Sequence, residues 1–364
     1  MRIGLLIYGS LDMISGGNLY DRQLVDHLRA QGDEVEIISL PWRDYSRHLM
    51  DNFSRELSGR LRNLDLDVLV QDELTHPSLY RLNHRLRTEV SFPLVAIVHH
   101  LRSSEDHPTW QNWLYQRVES QYLISLDGFI YNSSTTRQVV ERLIGIGKPC
   151  VVAFPAGDRL YPDFNSQMVV SRAKEADPLR LLFLGNVIRR KGLHTLLAAL
   201  AQIPLSLWSL TVAGSMEMEP GYARRVERIV KQYRLADRVH FTGTLETAAV
   251  IEVLRGNQVL VVPSNYEGFG ISYLEGMGFG LPAIASTAGG AAEIITHGVD
   301  GFLVPPADPD ALNGCIRQWI ENRDLLVKMS LAALERYRRH PTWEQAAQSI
   351  RSFLLDLSFR WEPK

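Results

Sequence analysis

Pro263-Ser264-Asn265-Tyr266-Glu267-Gly268-Phe269-Gly270-Ile271-Ser272-Tyr273-Leu274-Glu275 is the stretch on which the reading of the whole chain turns. The apolar run before it, 259–262, reads as a buried strand. The chain then enters a helical pattern through Gly268-Phe269-Gly270. A strand, a glycine turn and a helix N-terminus favour an anion, because backbone N–H groups and the helix dipole point the same way. Glu267 precedes the helix and Glu275 falls in its second turn, roughly 6–8 Å further along the axis at helical rise. That spacing is about the length of a diphosphate, so the layout suits a ligand with hydroxyls at both ends and a diphosphate between them. The same strand–loop–helix also occurs where nothing binds, and the context decides.

Outward from this stretch, short all-apolar runs alternate with helical ones. In the first part, strands are expected at 3–8, 35–40, 68–71, 94–99, 128–132 and 151–154, with a loop at 9–17 and helices at 18–30, 108–123 and 135–144. The pattern restarts with strands at 181–184, 210–213, 239–242, 259–262, 283–285 and 301–304. Such alternation implies parallel sheets covered by helices on both faces. The polar stretch 157–178 reads as a linker. Two doubly wound α/β domains follow, 1–170 and 171–340, with ligands expected beyond the carboxyl ends of the strands and a cleft where the domains face each other. From Asp308 on the chain reads as helix. The segment 343–359 is amphipathic, with Ala346, Ile350, Phe353, Leu354 and Leu357 on one face, and 341–364 is expected to pack back on the first domain.

Bulk properties exclude several classes. The chain has 364 residues, 45% hydrophobic and 22% charged, values typical of a globular protein. A net charge of −2 argues against nucleic acid as a partner. Cys150 and Cys315 read as reduced, buried thiols. No segment has the length of a membrane-spanning helix, and the N-terminal 1–8 reads as a strand rather than a signal peptide. The expected location is cytoplasmic, with room for peripheral contact at the inner membrane face. Arg43 to Arg62, with Arg81, Arg85 and Arg87, interleave with Leu, Trp and Phe, as an interfacial surface for a lipid-linked acceptor would or as solvated helix faces do.

Three segments together resemble the family 4 glycosyltransferases of the GT-B fold. They are Glu267-Gly268-Phe269-Gly270 with Glu275 after seven intervening residues, then Gly278 and Gly280-Leu281-Pro282; Ala288-Gly289-Gly290 with Glu293, Gly298 and Asp300 to Val304; and Gly185 through Arg190-Lys191-Gly192. Gly16-Gly17 after the first strand and His99 at the end of the fourth also fit. The resemblance implies two Rossmann-like domains facing across a cleft and a nucleotide sugar as donor, UDP- or GDP-linked. It implies transfer of a hexosyl group, with retention, to a hydroxyl acceptor such as a sugar or lipid-linked molecule in glycolipid, polysaccharide or other glycoconjugate synthesis. Glu267 would bond sugar hydroxyls, helped by the backbone N–H groups of Phe269 and Gly270. Glu275 would hold the ribose hydroxyls through both oxygens. Lys191 would neutralise the diphosphate, Gly16 and Gly17 would allow close approach, and His99 would contact the donor sugar. The catalytic set is therefore His99, Glu267 and Lys191. Donor binding adds Gly16, Gly17, Arg190, Gly268, Phe269, Gly270 and Glu275. Asn186 stands where the family commonly has an arginine, and Arg189 or Arg190 is left to compensate.

No metal or other cofactor is expected. Asp65-Leu66-Asp67 and Asp308-Pro309-Asp310 have Asp-x-Asp spacing, but they lead into a strand and open a helix far from the expected site. Departure of the diphosphate would rely on cationic side chains and the helix end instead. A GT-B-shaped epimerase and a noncatalytic nucleotide-sugar binding protein are the alternatives. A nicotinamide oxidoreductase is disfavoured because a long loop, not a tight Gly-x-Gly-x-x-Gly turn, follows the first strand.

Overall fold

The computed structural model describes residues 1–361 except 14, 176 and 177. The chain divides into two compact units, Met1–Pro155 with Pro341–Lys364, and Ala156–His340. The first unit contains β1 (Arg2–Tyr8), β2 (Glu34–Leu40), β3 (Val68–Asp72), β4 (Leu94–Val98), β5 (Gly128–Tyr131) and β6 (Cys150–Val152). They form one sheet in the order β2-β1-β3-β4-β5-β6, and every pairing is parallel. β3 and β4 are buried along their whole length, which explains the all-aliphatic composition of β4 and of the first three residues of β3, Val68–Val70. The strand order reverses between β1 and β3, so the carboxyl ends of these two strands and of β4 border the switch point.

The second unit repeats the plan with β7 (Leu179–Leu184), β8 (Trp208–Ala213), β9 (Val239–Gly243), β10 (Val259–Val262), β11 (Ala283–Ser286) and β12 (Gly301–Val304). Their order is β12-β11-β10-β7-β8-β9, again all parallel. The reversal here lies between β7 and β10. The turns that follow those two strands, 185–191 and 263–270, therefore emerge side by side. They are the turns that carry Lys191 and Glu267.

Two boundaries differ from the sequence reading. The division falls at 155/156 rather than at 170/171. Of the expected linker, 166–174 is the helix Ser166–Lys174, built into the second unit; 176 and 177 lie outside the described residues. Val169 is fully buried. Arg172 is buried too, donating from Nη2 to the carbonyls of Phe279 (2.6 Å) and Gly280 (3.1 Å). A nine-residue helix that buries only Val169, Arg172 and Ala173 has the composition of a linker. The helix expected at 18–30 begins earlier, as Gly16–Ala30, because Ser15 caps it by accepting from the Asn18 N–H. Gly16 and Gly17 thus belong to a helix turn and not to the preceding loop.

The helix Trp343–Arg360 opens with a capping box between Thr342 and Gln345. It buries Trp343, Ala346, Ala347, Ile350, Leu354 and Leu357 within the first unit. The Trp343 ring meets Tyr20 edge-on, and Arg351 Nε donates to Asp33 Oδ2 at 2.6 Å. The chain thus returns to its first unit, as the amphipathic pattern implied.

Candidate active site

In the second unit the turn after β10 is tied to its neighbours by backbone bonds. Asn265 N–H donates to the Arg190 carbonyl at 2.7 Å, joining the two turns at the switch point. Glu267 N–H donates to the Ala288 carbonyl, and the Glu267 carbonyl accepts from Gly290 N–H at 2.7 Å. Gly289 has φ +95, and a Cβ there would collide with the Glu267 carbonyl. Ala288-Gly289-Gly290, noted in the sequence only as a pattern, is therefore the brace that fixes Glu267. Gly270, at φ +104, is the N-cap of the helix Ile271–Gly278, which carries Glu275. Gly268 lies within this turn, and the Phe269 side chain is buried near His340 rather than offered to a ligand.

Glu267 is buried and surrounded by donors. Lys191 Nζ lies 2.6 Å from Oε2, Ser264 Oγ donates to the same oxygen at 3.0 Å, and Arg190 Nη1 is 3.7 Å from Oε1. Burial alone pushes a carboxyl pKa up, but the charges of Lys191 and Arg190 outweigh it and hold Glu267 at about 2. Lys191 shows the opposite balance: burial lowers its pKa more than Glu267 raises it. Two cations act on one carboxylate, whereas Lys191 has Arg190 as a like charge beside it. Glu267 is thus an ionised, acceptor-only group at neutral pH. Of the two arginines weighed against Asn186, Arg190 faces Glu267 and also donates to the Tyr266 carbonyl at 2.8 Å. Asn186 Oδ1 accepts from Ser215 N–H.

Glu275 is also buried, and its Oε1 accepts from Arg159 Nε at 2.5 Å. Arg159 carries no motif, and the sequence reading missed it. Its only sequence signal is its place soon after Gly157, where an added Cβ would come within 2.9 Å of the Glu275 nitrogen.

In the first unit His99 lies one residue beyond β4, with Nε2 3.3 Å from Asp21 Oδ1. Gly17 packs on the His99 ring, where a Cβ would come within 3.2 Å of Cδ2. Burial alone would lower the His99 pKa, but Asp21, with Asp72 and Glu73, raises it to about 9. The ring is an imidazolium at neutral pH, which removes it as a general base in this state. Asp72 and Glu73 are raised to about 7, in each case mainly by burial. Asp21, Asp72 and His99 form one buried group whose ligand atoms all lie within 4.8 Å of one another, and Glu73, His76 and Glu119 form another. Neither group was legible in sequence, since their members come from separate elements.

The Asp-x-Asp pairs are engaged locally. Asp65 pairs with Arg2, Asp67 Oδ2 accepts from Arg2 N–H at 2.8 Å, and Asp308 caps the helix Pro309–Glu321. Several arginines of the candidate interfacial surface have partners: Arg43 with Asp51, Arg62 with Glu89 and Arg87 with Asp127. Trp42, Met50 and Phe53 are exposed nearby in the chain. Among the described residues, no helix is long and apolar enough to cross a membrane.

Residues 166–336, just under half of the chain, match the family model of glycosyl transferases group 1. A glycogen synthase of Mycobacterium tuberculosis is 24% identical over 297 residues, covering 79% of this chain and 70% of that protein. Among solved structures, a sucrose-phosphate synthase from Thermosynechococcus elongatus superposes with a TM-score of 0.83 at 24% identity, covering 98% of each chain. The Anabaena protein HepE, solved with UDP and glucose, has a TM-score of 0.77 at 19% identity, covering 98% of this chain and all of its own. The two parallel six-stranded sheets and the returning C-terminal helix are those of the GT-B fold. The sequence matches support glycosyl transfer as the chemistry.

Proposed function

We propose that the chain is a retaining hexosyltransferase of the family 4 type, which moves a sugar from a UDP- or GDP-linked donor to a hydroxyl acceptor in glycoconjugate synthesis. The observation that carries this reading is the constellation at the second switch point. An ionised Glu267 lies between Lys191 and Arg190 on the turn that starts the Ile271–Gly278 helix, and Glu275 sits further along that helix. The HepE structure with UDP supports a nucleotide donor by fold likeness.

In this reading Glu267 accepts hydrogen bonds from sugar hydroxyls. Its charge also favours the positive character that develops at the anomeric carbon. Lys191 keeps donor capacity beyond its bond to Glu267, since an ammonium has three protons. With Arg190 and the helix N-terminus it stabilises the charge left on the diphosphate, without a metal. The acceptor attacks on the face the diphosphate leaves, and the departing phosphate oxygen takes the acceptor proton. His99, held as an imidazolium, serves the first unit as a hydrogen-bond donor and not as a base. The first unit binds the acceptor, and the protein works in the cytoplasm, in peripheral contact with the inner membrane face when the acceptor is lipid-linked.

A thermal-shift panel of UDP-, GDP- and ADP-sugars tests the donor site. One nucleotide should stabilise the wild type and leave Glu275→Ala unmoved; identical responses would remove the site assignment. NMR of the product anomer tests retention, and a product with the donor's configuration inverted excludes it.

A further inference from the structure

The Arg159–Glu275 pair is placed by close backbone packing. At Gly157 an added Cβ would lie 2.8 Å from the Leu274 carbonyl carbon and 2.9 Å from the Glu275 nitrogen. Any larger residue would push this segment off the Ile271–Gly278 helix. The contact sets down the short turn Asp158–Leu160 with Arg159 on Glu275. The turn closes at Tyr161, which lies in the left-handed region at φ +45 and whose N–H donates to the Asp158 carbonyl at 3.0 Å.

Only one carboxylate oxygen is taken. Arg159 Nε donates to Oε1, and no hydrogen bond to Oε2 is found among the described residues. Resting on the proposed donor reading, we infer that Arg159 is a positioning residue: it locks Oε1 of Glu275 and presents Oε2 alone to a ribose hydroxyl of the nucleotide. The contact to the ribose is then single rather than the two-oxygen grip expected from the resemblance.

Burial pushes the Glu275 carboxyl pKa up, and Arg159 is the charged group that opposes this. Among the described residues, Arg159 is the charged group that acts on Glu275. β10 and β11 carry no titratable side chain. From the helix Arg323–Arg338, Tyr337 reaches Gly278, and Arg336 donates to the carbonyls of Glu293 and Ile294. Asp158 acts on Tyr337. Removing Arg159 therefore leaves Glu275 to protonate nearer neutrality.

The test uses the full chain and UDP as the probe, with calorimetric affinities between pH 5 and 8. Arg159→Gln should weaken UDP binding about tenfold at pH 6, the scale of a lost charge-assisted hydrogen bond. It should also move the pH midpoint of affinity upward. Arg159→Lys should restore part of the affinity and the wild-type midpoint, while Glu275→Gln should be weak and flat with pH. A carboxyl-carbon NMR titration of the ligand-free chain should show the Glu275 pKa higher in Arg159→Gln, independently of any nucleotide. If Glu275→Gln loses UDP but Arg159→Gln keeps wild-type affinity, pH profile and Glu275 titration, the positioning role is wrong and the donor site stands. If Glu275→Gln binds UDP as well as wild type, the ribose reading falls and takes this inference with it.

Discussion

Lys191 Nζ and Glu267 Oε2 lie 2.6 Å apart on turns that leave neighbouring strands, β7 and β10, at the point where the sheet order reverses. Both groups are largely buried, so each depends on the other for its charge. Lys191→Met should cost about 3 kcal/mol in chemical denaturation, because it strips a buried carboxylate of its nearest cation. Lys191→Met with Glu267→Gln should cost less than the two singles together. Because the folded Glu267 pKa is depressed to about 2, its contribution is complete above the usual carboxylate range. It is lost as pH falls from about 4.3 through about 2. The stability gap between wild type and Glu267→Gln should be constant from pH 7 to 5 and close below that.

The His99 imidazolium should be visible directly. Its ring should titrate near pH 9 by NMR, and Asp21→Asn should bring the midpoint down. A folded pKa above the unfolded value near 6.5 gives stability that is complete below about pH 6.5 and lost as pH rises through about 9. Asp72 and Glu73, raised to about 7, act in the same direction over a lower window that starts near pH 4. Urea midpoints of the first unit should therefore fall steadily from pH 5 to pH 9.

Two glycine substitutions separate a brace from an ordinary turn. Gly289→Ala meets both a left-handed φ and the Glu267 carbonyl, so it should destabilise by about 2 kcal/mol or more and erase nucleotide-dependent stabilisation. Gly298→Ala, at φ +77 with nothing within 4 Å of a Cβ, should cost about 1 kcal/mol and leave the nucleotide response intact. Thermal denaturation with and without UDP reads both.

Arg351→Ala tests the returning helix. Asp33 is buried beneath Arg351 and also meets the Met1 amino group at 2.8 Å. Burial raises the Asp33 pKa, but these cations lower it below its usual value. The substitution should cost about 2 kcal/mol at pH 7. That cost should vanish as pH falls below about 4 and Asp33 protonates. Denaturation at both pH values is the check.

The central strands were legible because they are short, largely aliphatic runs that only a doubly covered sheet buries, and β1, β4 and β10 came out within a residue or so of their observed ends. Glu267 and Lys191 were each legible through the glycines of their own turns, 263–270 and 185–191. The Ser166–Lys174 helix was not, since three buried positions in nine give too weak a period. Arg159, Asp21 and Asp72 were hidden for a different reason. Each meets its partner across a long stretch of chain, and nothing local in the sequence records that meeting. The same holds for Arg190 over Arg189: adjacent and chemically identical, they differ only in the direction the turn sends them.

The helix Trp343–Arg360 completes the first unit, yet in chain order it follows the whole of the second, so the ribosome makes it later. During synthesis the second unit emerges whole while the first still lacks the cover for its apolar face. The amino-terminal half must therefore wait, held open, until that helix has been made. Slow or truncated translation would release a nascent chain whose later half is finished and whose earlier half is sticky, the form on which chaperones act.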